Sequence, residues 1–381
     1  MMEVMGDMTT AVGLYVHVPF CSRICHYCDF ACYSGQEAQI ARYLEAVERE
    51  ARGYPAGLRV RTLYLGGGTP SVLSANQLER LVSSLRSHFD LSCLEEATLE
   101  LNPRTGGRSL WEQALALGFD RFSVGVQSFD LEVLRRLGRD HDVDDILRTV
   151  GDLRRAAVPA LSLDLMYGLP GQTLDLWDST IDRALALNPE HLSVYGLILE
   201  ERTAFGRWHR EGRLPLPGEE AELAMGDHVV ARLTEAGYER YELGSFARPG
   251  FRARHNGLYW TLDPYVGLGP GAHSFWQGRR YENPRGLGEY FQDPVPRFAS
   301  GESLTERQFM EEFAFLGLRR TLEGLEKEPF RLRTGLALED AFPGVVERLV
   351  EADLVRADEE RVVLTPRGCW LSNEVFEAFL A

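Results

Sequence analysis

The chain has 381 residues, of which 44% are hydrophobic and 26% charged, with six cysteines and a formal net charge of −16. That is enough apolar material for a large soluble core, and enough length for one large domain with appendages or for two domains. The acidity argues against a nucleic-acid partner, because phosphate backbones attract basic surfaces, and no apolar run is long enough to span a bilayer.

The opening stretch "MMEVMGDMTTAV" holds acids, no lysine or arginine and no long apolar run, so it reads as no export signal. The cysteines cluster at 21, 25, 28 and 32, with outliers at 93 and 369. This pattern suits a metal site in the reducing cytoplasm better than a disulfide framework. Strand patterns follow in order: "GLYVHV" at 13–18, "TLYLGG" at 62–67, "ATLELN" at 97–102, "RFSVGVQ" at 121–127, "ALSLDLMYG" at 160–168 and "HLSVYGLIL" at 191–199. Between them, segments such as "EAQIARYLEAVEREA" and "NQLERLVSSLRSHF" place apolar residues three and four apart, the helical period. Alternating strands and helices predict an α/β fold, a partial (open) parallel β/α barrel of about six units, over residues 1–215. "REGRLPLPGEE" reads as a connection, and 216–300 as an extension with one helix and an aromatic-rich irregular stretch. Residues 301–381 read as helix, helix, two-stranded ribbon and a last helix after Pro366, a winged-helix-like region.

"CSRICHYCDF" places three cysteines within ten residues. Thiolates bind iron–sulfur clusters or zinc. A structural zinc site wants four ligands, which His17, His26 or Cys32 would complete, whereas a cluster held by three thiolates leaves one iron open to a ligand. "GGGTPS" at 66–71 follows a strand, where glycines let a ligand approach backbone donors. Glu100, Gln127 and Asp164 fall near the ends of successive strands, the usual place for a barrel site. A polar side chain among apolar neighbours is costly unless it binds something or is satisfied by a core hydrogen bond. Arg139, in "LGRDH", offers a charged fork for a carboxylate.

Cys21-x3-Cys25-x-Tyr27-Cys28 resembles the signature of the radical S-adenosylmethionine (radical SAM) family. The resemblance implies that Cys21, Cys25 and Cys28 hold a [4Fe–4S] cluster whose fourth iron takes the methionine end of S-adenosylmethionine. It implies a cofactor-binding set of Tyr15, Tyr27, Gly67, Gly68, Thr69, Glu100, Gln127, Arg139 and Asp164. Cys32 lies outside the signature and is expected to stay unligated. "LYVHVPFCSRICHYCDF", "LYLGGGTPS", "RFSVGVQSF", "LGRDH" and "DLMYGLPGQT" further resemble the group that contains oxygen-independent coproporphyrinogen III dehydrogenase and the HemW-like haem chaperones. The dehydrogenase pattern has a further cysteine two residues after the third; here that place is Phe30, as in the HemW-like pattern. "HNGLYW" at 255–260 is similar to the HNxxYW motif of that second group, which implies His255 as a haem ligand beside the flat faces of Tyr259 and Trp260. A bonded histidine with two core aromatics is the plainer alternative, and His273 is a second candidate ligand. The expected function is a haem chaperone serving client haemoproteins, with no catalytic residue assigned. The alternatives are oxidative decarboxylation of coproporphyrinogen III and radical modification of tRNA, the latter opposed by the acidity. The implied partners are haem, client haemoproteins and, for a redox-active cluster, an electron donor. The chain is not expected to be an integral membrane protein, though transient contact with membrane-bound clients remains compatible.

Overall fold

The structure, a computed structural model, describes residues 11–380. Ala381 and most of the stretch read for an export signal lie outside them. Strands β1 (Val12–Val18), β2 (Val60–Gly67), β3 (Glu96–Leu101), β4 (Arg121–Gln127), β5 (Ala160–Tyr167) and β6 (His191–Gly196) alternate with helices α1 (Ile40–Ala51), α2 (Ala75–His88), α3 (Arg108–Ala116), α4 (Leu131–Arg136), α5 (Val143–Arg155) and α6 (Leu174–Ala186). The six strands are parallel and adjacent in sequence order. Their outer face is apolar: Val12, Leu14, Val16 and Val18 share one core with Ile40, Tyr43, Leu44 and Val47. Helix starts are capped where the sequence supplies the residues. Ser74 and Gln77 form a reciprocal box at α2, and Asp142 and Asp145 do so at α5, satisfying amides that the first turn leaves without partners.

The other face of the same strands is polar. Alternate positions place Tyr15 and His17 on β1, Thr62 and Tyr64 on β2, and Thr98 and Glu100 on β3 toward the barrel interior. Ser123 on β4, Ser162 and Asp164 on β5, and His191 and Ser193 on β6 continue the series.

After β6 come α7 (Ala204–Arg210), α8 (Glu219–Glu235), β7 (Glu239–Glu242), β8 (Ser245–Ala247), α9 (Arg254–Trp260), β9 (Tyr265–Leu268), β10 (His273–Trp276), β11 (Arg279–Glu282), α10 (Leu287–Gln292) and β12 (Glu302–Ser303). These strands join the barrel's own sheet, in the order β12-β11-β10-β9-β1-β2-β3-β4-β5-β6-β8-β7. The stretch expected to be irregular therefore carries ladder strands. One of them, β9, runs parallel to β1 and adds a seventh parallel strand on its open side. The two edges of the sheet do not pair, so the barrel is open. "HNGLYW", which falls in that stretch, lies within the helix α9.

Beyond α11 (Glu306–Gly317) the chain builds β13 (Leu325–Glu326), α12 (Lys327–Thr334), α13 (Leu338–Ala341), α14 (Val345–Glu351), β14 (Val355–Ala357), β15 (Arg361–Leu364), α15 (Pro366–Trp370) and α16 (Ser372–Glu377). The small sheet β13-β15-β14 and its helices enclose a second core of Phe313, Phe330, Phe342 and Phe379, into which Leu262 and Phe275 of the extension insert. The ribbon was legible in the sequence; β13 and α12 were not, because two ladder residues and one turn-rich helix leave little periodicity. Among the described residues no helix is long and apolar enough to cross a membrane.

Glu50 ties the extension to the barrel. Its fully buried carboxylate on α1 accepts from the Gly269 amide (2.9 Å), Asn283 Nδ2 (2.6 Å) and the Tyr290 hydroxyl (2.6 Å). Burial foremost pushes this carboxyl up to about 7, against the pull of its three donors. Replacing Glu50 with alanine strands those donors and opens a cavity, and should cost about 3 kcal/mol or more in urea unfolding. A carboxyl raised in the folded state contributes stability at low pH that is lost as pH rises through its folded pKa. Glu100 and Glu242 are also pushed up to about 7, chiefly by burial. The unfolding midpoint should therefore fall as pH rises from about 4.5, the ordinary glutamate value, to about 7, and level off above it, and Glu50→Gln should flatten part of that slope.

Candidate functional site

The cysteines lie on the loop between β1 and α1, closed by a two-residue parallel ladder in which Phe20 pairs with Tyr33 and Cys21 with Ser34. No helix or strand shapes the loop between; it is held by partners remote in sequence. His26 N donates to the Leu137 carbonyl (2.9 Å), the His26 carbonyl accepts from Phe205 N (2.9 Å), and His26 Nδ1 lies 2.8 Å from the Arg136 carbonyl. The His26 ring meets Trp208 edge-on with centroids 4.8 Å apart. At the loop's far end His17 Nε2 lies 2.8 Å from the Ala31 carbonyl. Burial pushes His17 down to about 4, which keeps it a neutral strut at ordinary pH. Ser22 donates to Asp140 (2.5 Å), next to Arg139.

Cys21 is buried and Cys25, Cys28 and Cys32 are half-buried. Thr69 Oγ1 donates to Cys21 Sγ at 3.4 Å, and Arg139 Nη1 donates to Cys25 Sγ at 3.5 Å. The second Arg139 fork nitrogen donates to the Gly125 carbonyl (2.5 Å), while its Nε is buried without a partner. An unpaired buried guanidinium N–H among thiols is a place that an anionic group satisfies. Cys32 does not stand apart: its Sγ is 4.0 Å from Cys28 Sγ. Among the described residues no three such side chains converge on a single-ion position. A cubane, whose thiolates bind different irons, does not require that convergence.

The glycine segment abuts this loop. Gly67 adopts φ +105°, and its amide donates to Glu100 Oε2 (3.1 Å), whose other oxygen accepts from the Tyr64 hydroxyl (2.6 Å). Burial foremost, with the Asp164 charge adding, raises the Glu100 carboxyl. Asp164 is also raised, chiefly by burial, and accepts from Ser123 Oγ at 3.0 Å. Gln127 sits at φ +65° where the β4–β5 register shifts, a backbone conformation sparsely adopted by residues other than glycine. Tyr15 lies 3.0 Å from His17 Nδ1 through its hydroxyl, and the Tyr27 ring packs on Phe205. Thus Cys21 contacts Thr69 and Cys25 contacts Arg139, while Tyr15, Tyr64, Glu100 and Gly67 form a second connected set, with Asp164 two strands beyond Glu100. Gly68 is required for a different reason than ligand approach. A Cβ there would stand 2.8 Å from the carbonyls of both Val18 and Phe20, so the chain itself uses the gap.

His255 is 1% exposed, at the other end of the strands. Its Nδ1 lies 2.8 Å from Thr62 Oγ1 and its Nε2 2.9 Å from the Tyr259 hydroxyl. The rings of Tyr15, Tyr64 and Tyr259 surround it, and burial pushes it down to about 3. Glu96 accepts from the amides of Arg254 and His255 (2.8 and 3.0 Å), fixing the start of α9. His191 repeats the arrangement between Ser162 and Tyr241 (both 2.8 Å). His273 is exposed and pairs loosely with Glu282. The sequence reading missed Tyr64, Glu96, Ser123 and Ser193. The signal was present as polar residues recurring at every second position of otherwise apolar strands.

Residues 15–184 match the radical SAM superfamily, and residues 304–371 match the HemN C-terminal domain. The chain is 38% identical to heme chaperone HemW of Bacillus subtilis (strain 168), over 96% of this chain and 98% of that one. It is 36% identical to heme chaperone HemW of Lactococcus lactis subsp. lactis (96% of each chain), and 33% identical to that of Escherichia coli K12 (97% and 98%). Among solved structures, the coproporphyrinogen III oxidase (HemN) of Escherichia coli, a radical SAM enzyme, superposes with a TM-score of 0.84 at 26% identity, covering 99% of this chain and 91% of that one.

Gly68→Ala should lower thermal stability without any ligand, by about 1 to 3 kcal/mol, because the methyl group meets two backbone carbonyls that cannot swing away. Calorimetry on the cluster-free chain is the check. An unchanged midpoint would return the glycine to the role of clearing space for a ligand.

Proposed function

The chain belongs to the HemW haem-chaperone family within the radical SAM superfamily, and on that footing we propose that it binds haem and passes it to haemoproteins. The superfamily brings with it a [4Fe–4S] cluster and S-adenosylmethionine, which when bound supply one-electron chemistry at the sulfonium. Cys21, Cys25 and Cys28 are the proposed cluster ligands. Arg139 and Glu100 are proposed to receive the charged methionine end, the first toward its carboxylate and the second toward its ammonium. The observation that favours carriage over porphyrinogen oxidation is Phe30. Where the dehydrogenase pattern carries a further thiol, this chain sets a phenyl ring 68% exposed on the cysteine loop, an apolar surface rather than a redox-active group. The clustered free thiols suit a cytoplasmic setting.

His255 is the residue proposed to hold the haem iron. In the haem-free chain its Nε2 is engaged by Tyr259, so ligation requires that hydroxyl to give way. The neutral state enforced by burial is the form whose nitrogen can bind iron.

Three measurements test this reading. Cys21→Ser, Cys25→Ser or Cys28→Ser should each abolish iron and sulfide incorporation under anaerobic reconstitution, while Cys32→Ser should retain it; the reverse pattern would overturn the ligand set. In haem titrations, His255→Ala should shift the Soret band and weaken binding. Tyr259→Phe, which frees Nε2, should tighten binding about threefold to tenfold, the scale of one net hydrogen bond. Wild-type protein should leave coproporphyrinogen III unconsumed. Turnover of that compound would move the chain to the oxidase branch, and unaltered spectra in His255→Ala would make His255 a packing residue.

A further inference from the structure

Cys32 is the thiol that the cluster signature leaves out, yet it occupies the same pocket. Its Sγ lies 4.0 Å from that of Cys28, and both side chains are half-buried, open to small solutes. Cys32 also neighbours Cys21, whose sulfur additionally receives the Thr69 hydroxyl, while Cys25 faces the Arg139 guanidinium. The backbone around the pair is pinned. Cys28 N donates to the Cys25 carbonyl, the Ala31 carbonyl is held by His17, and Tyr33 N donates to the Pro19 carbonyl. Closing from 4.0 Å to the roughly 2.05 Å of a disulfide is a movement of about 2 Å, on the scale of rotating the two Cβ–Sγ arms.

We propose that Cys28 and Cys32 form an intramolecular disulfide when the cluster-free chain meets hydrogen peroxide, and that this bond blocks cluster assembly until a dithiol reduces it. One sulfur attacks the peroxide: an S–O bond forms, the O–O bond breaks and water leaves, giving a sulfenic acid. The second sulfur then displaces that oxygen: an S–S bond forms, the S–O bond breaks and a second water leaves. Two thiols lose two electrons and two protons, and one peroxide becomes two waters. A dithiol reverses the bond by thiol–disulfide exchange, itself becoming a disulfide. The block on assembly rests on the reading of Cys28 as a cluster ligand; the disulfide itself does not.

The test uses the full-length cluster-free chain, exposed to hydrogen peroxide, alkylated and mapped by mass spectrometry. Cys28 and Cys32 should lose alkylation together and appear in one linked peptide, while Cys21 and Cys25 remain alkylated. Reconstitution with iron and sulfide should then fail until dithiothreitol is added. Cys32→Ser, with Cys32→Ala as a second variant, should give no linked peptide. Linkage of Cys28 to Cys21 or Cys25, or a Cys32 that stays alkylated, would overturn the proposal. A mapped Cys28–Cys32 bond in oxidised protein that still loads iron normally would instead remove Cys28 from the cluster set and leave the disulfide standing.

Discussion

All six βα units run in one direction, so every strand delivers its last residues to the same edge of the sheet. The strands also carry polar side chains on their inner face, which a packed barrel centre tolerates only when each is bonded. The structure meets this in pairs, three across neighbouring strands, Tyr64 with Glu100, Ser123 with Asp164 and Ser162 with His191, and one between a strand and α9, Thr62 with His255. The site and the stability of the interior are therefore one problem. Burial raises the carboxyls of both Glu100 and Asp164 above their ordinary values.

The extension completes this interior. Strand β9 extends the parallel sheet beyond β1, and α9 brings His255 and Tyr259 against the β1 and β2 side chains. Glu96 on β3 anchors the first turn of α9, whose amides lack helical partners. Glu50 performs a comparable task from the outer side, joining α1 to the end of β9 and to α10 through three donors. Residues 216–300 thus share the barrel's sheet and its buried polar network.

The cysteine loop has no regular structure of its own and takes its shape from His17, Leu137, Phe205 and Arg285, residues scattered through the barrel and extension. Such a loop presents thiols at fixed spacing while its backbone polar groups remain satisfied. The same tethering brings Cys32 beside Cys28 although the signature skips it. Proximity here is decided by where the loop returns to Pro19 and Tyr33, and no spacing rule reports that.

The sequence by itself determined the strand and helix alternation, the open parallel barrel, the ribbon near the C-terminus and the cysteine signature with Phe30 beside it. These depend on local periodicity and on residue types whose chemistry is narrow, as with thiols three and two residues apart. It also placed Glu100, Gln127 and Asp164 at strand ends, because a parallel array converts position along a strand into position in the site. Only the tertiary structure decided what touches what. Gly68 clears space for the chain's own carbonyls, Arg139 reaches Cys25, His255 is enclosed by Thr62 and three tyrosines, and Glu50 gathers donors from beyond residue 268. Each of these contacts joins segments far apart in the chain; the Gly68 approach is set by steric fit and the others by desolvation. A buried polar group takes whichever partner the packing brings within reach, and that information is not local.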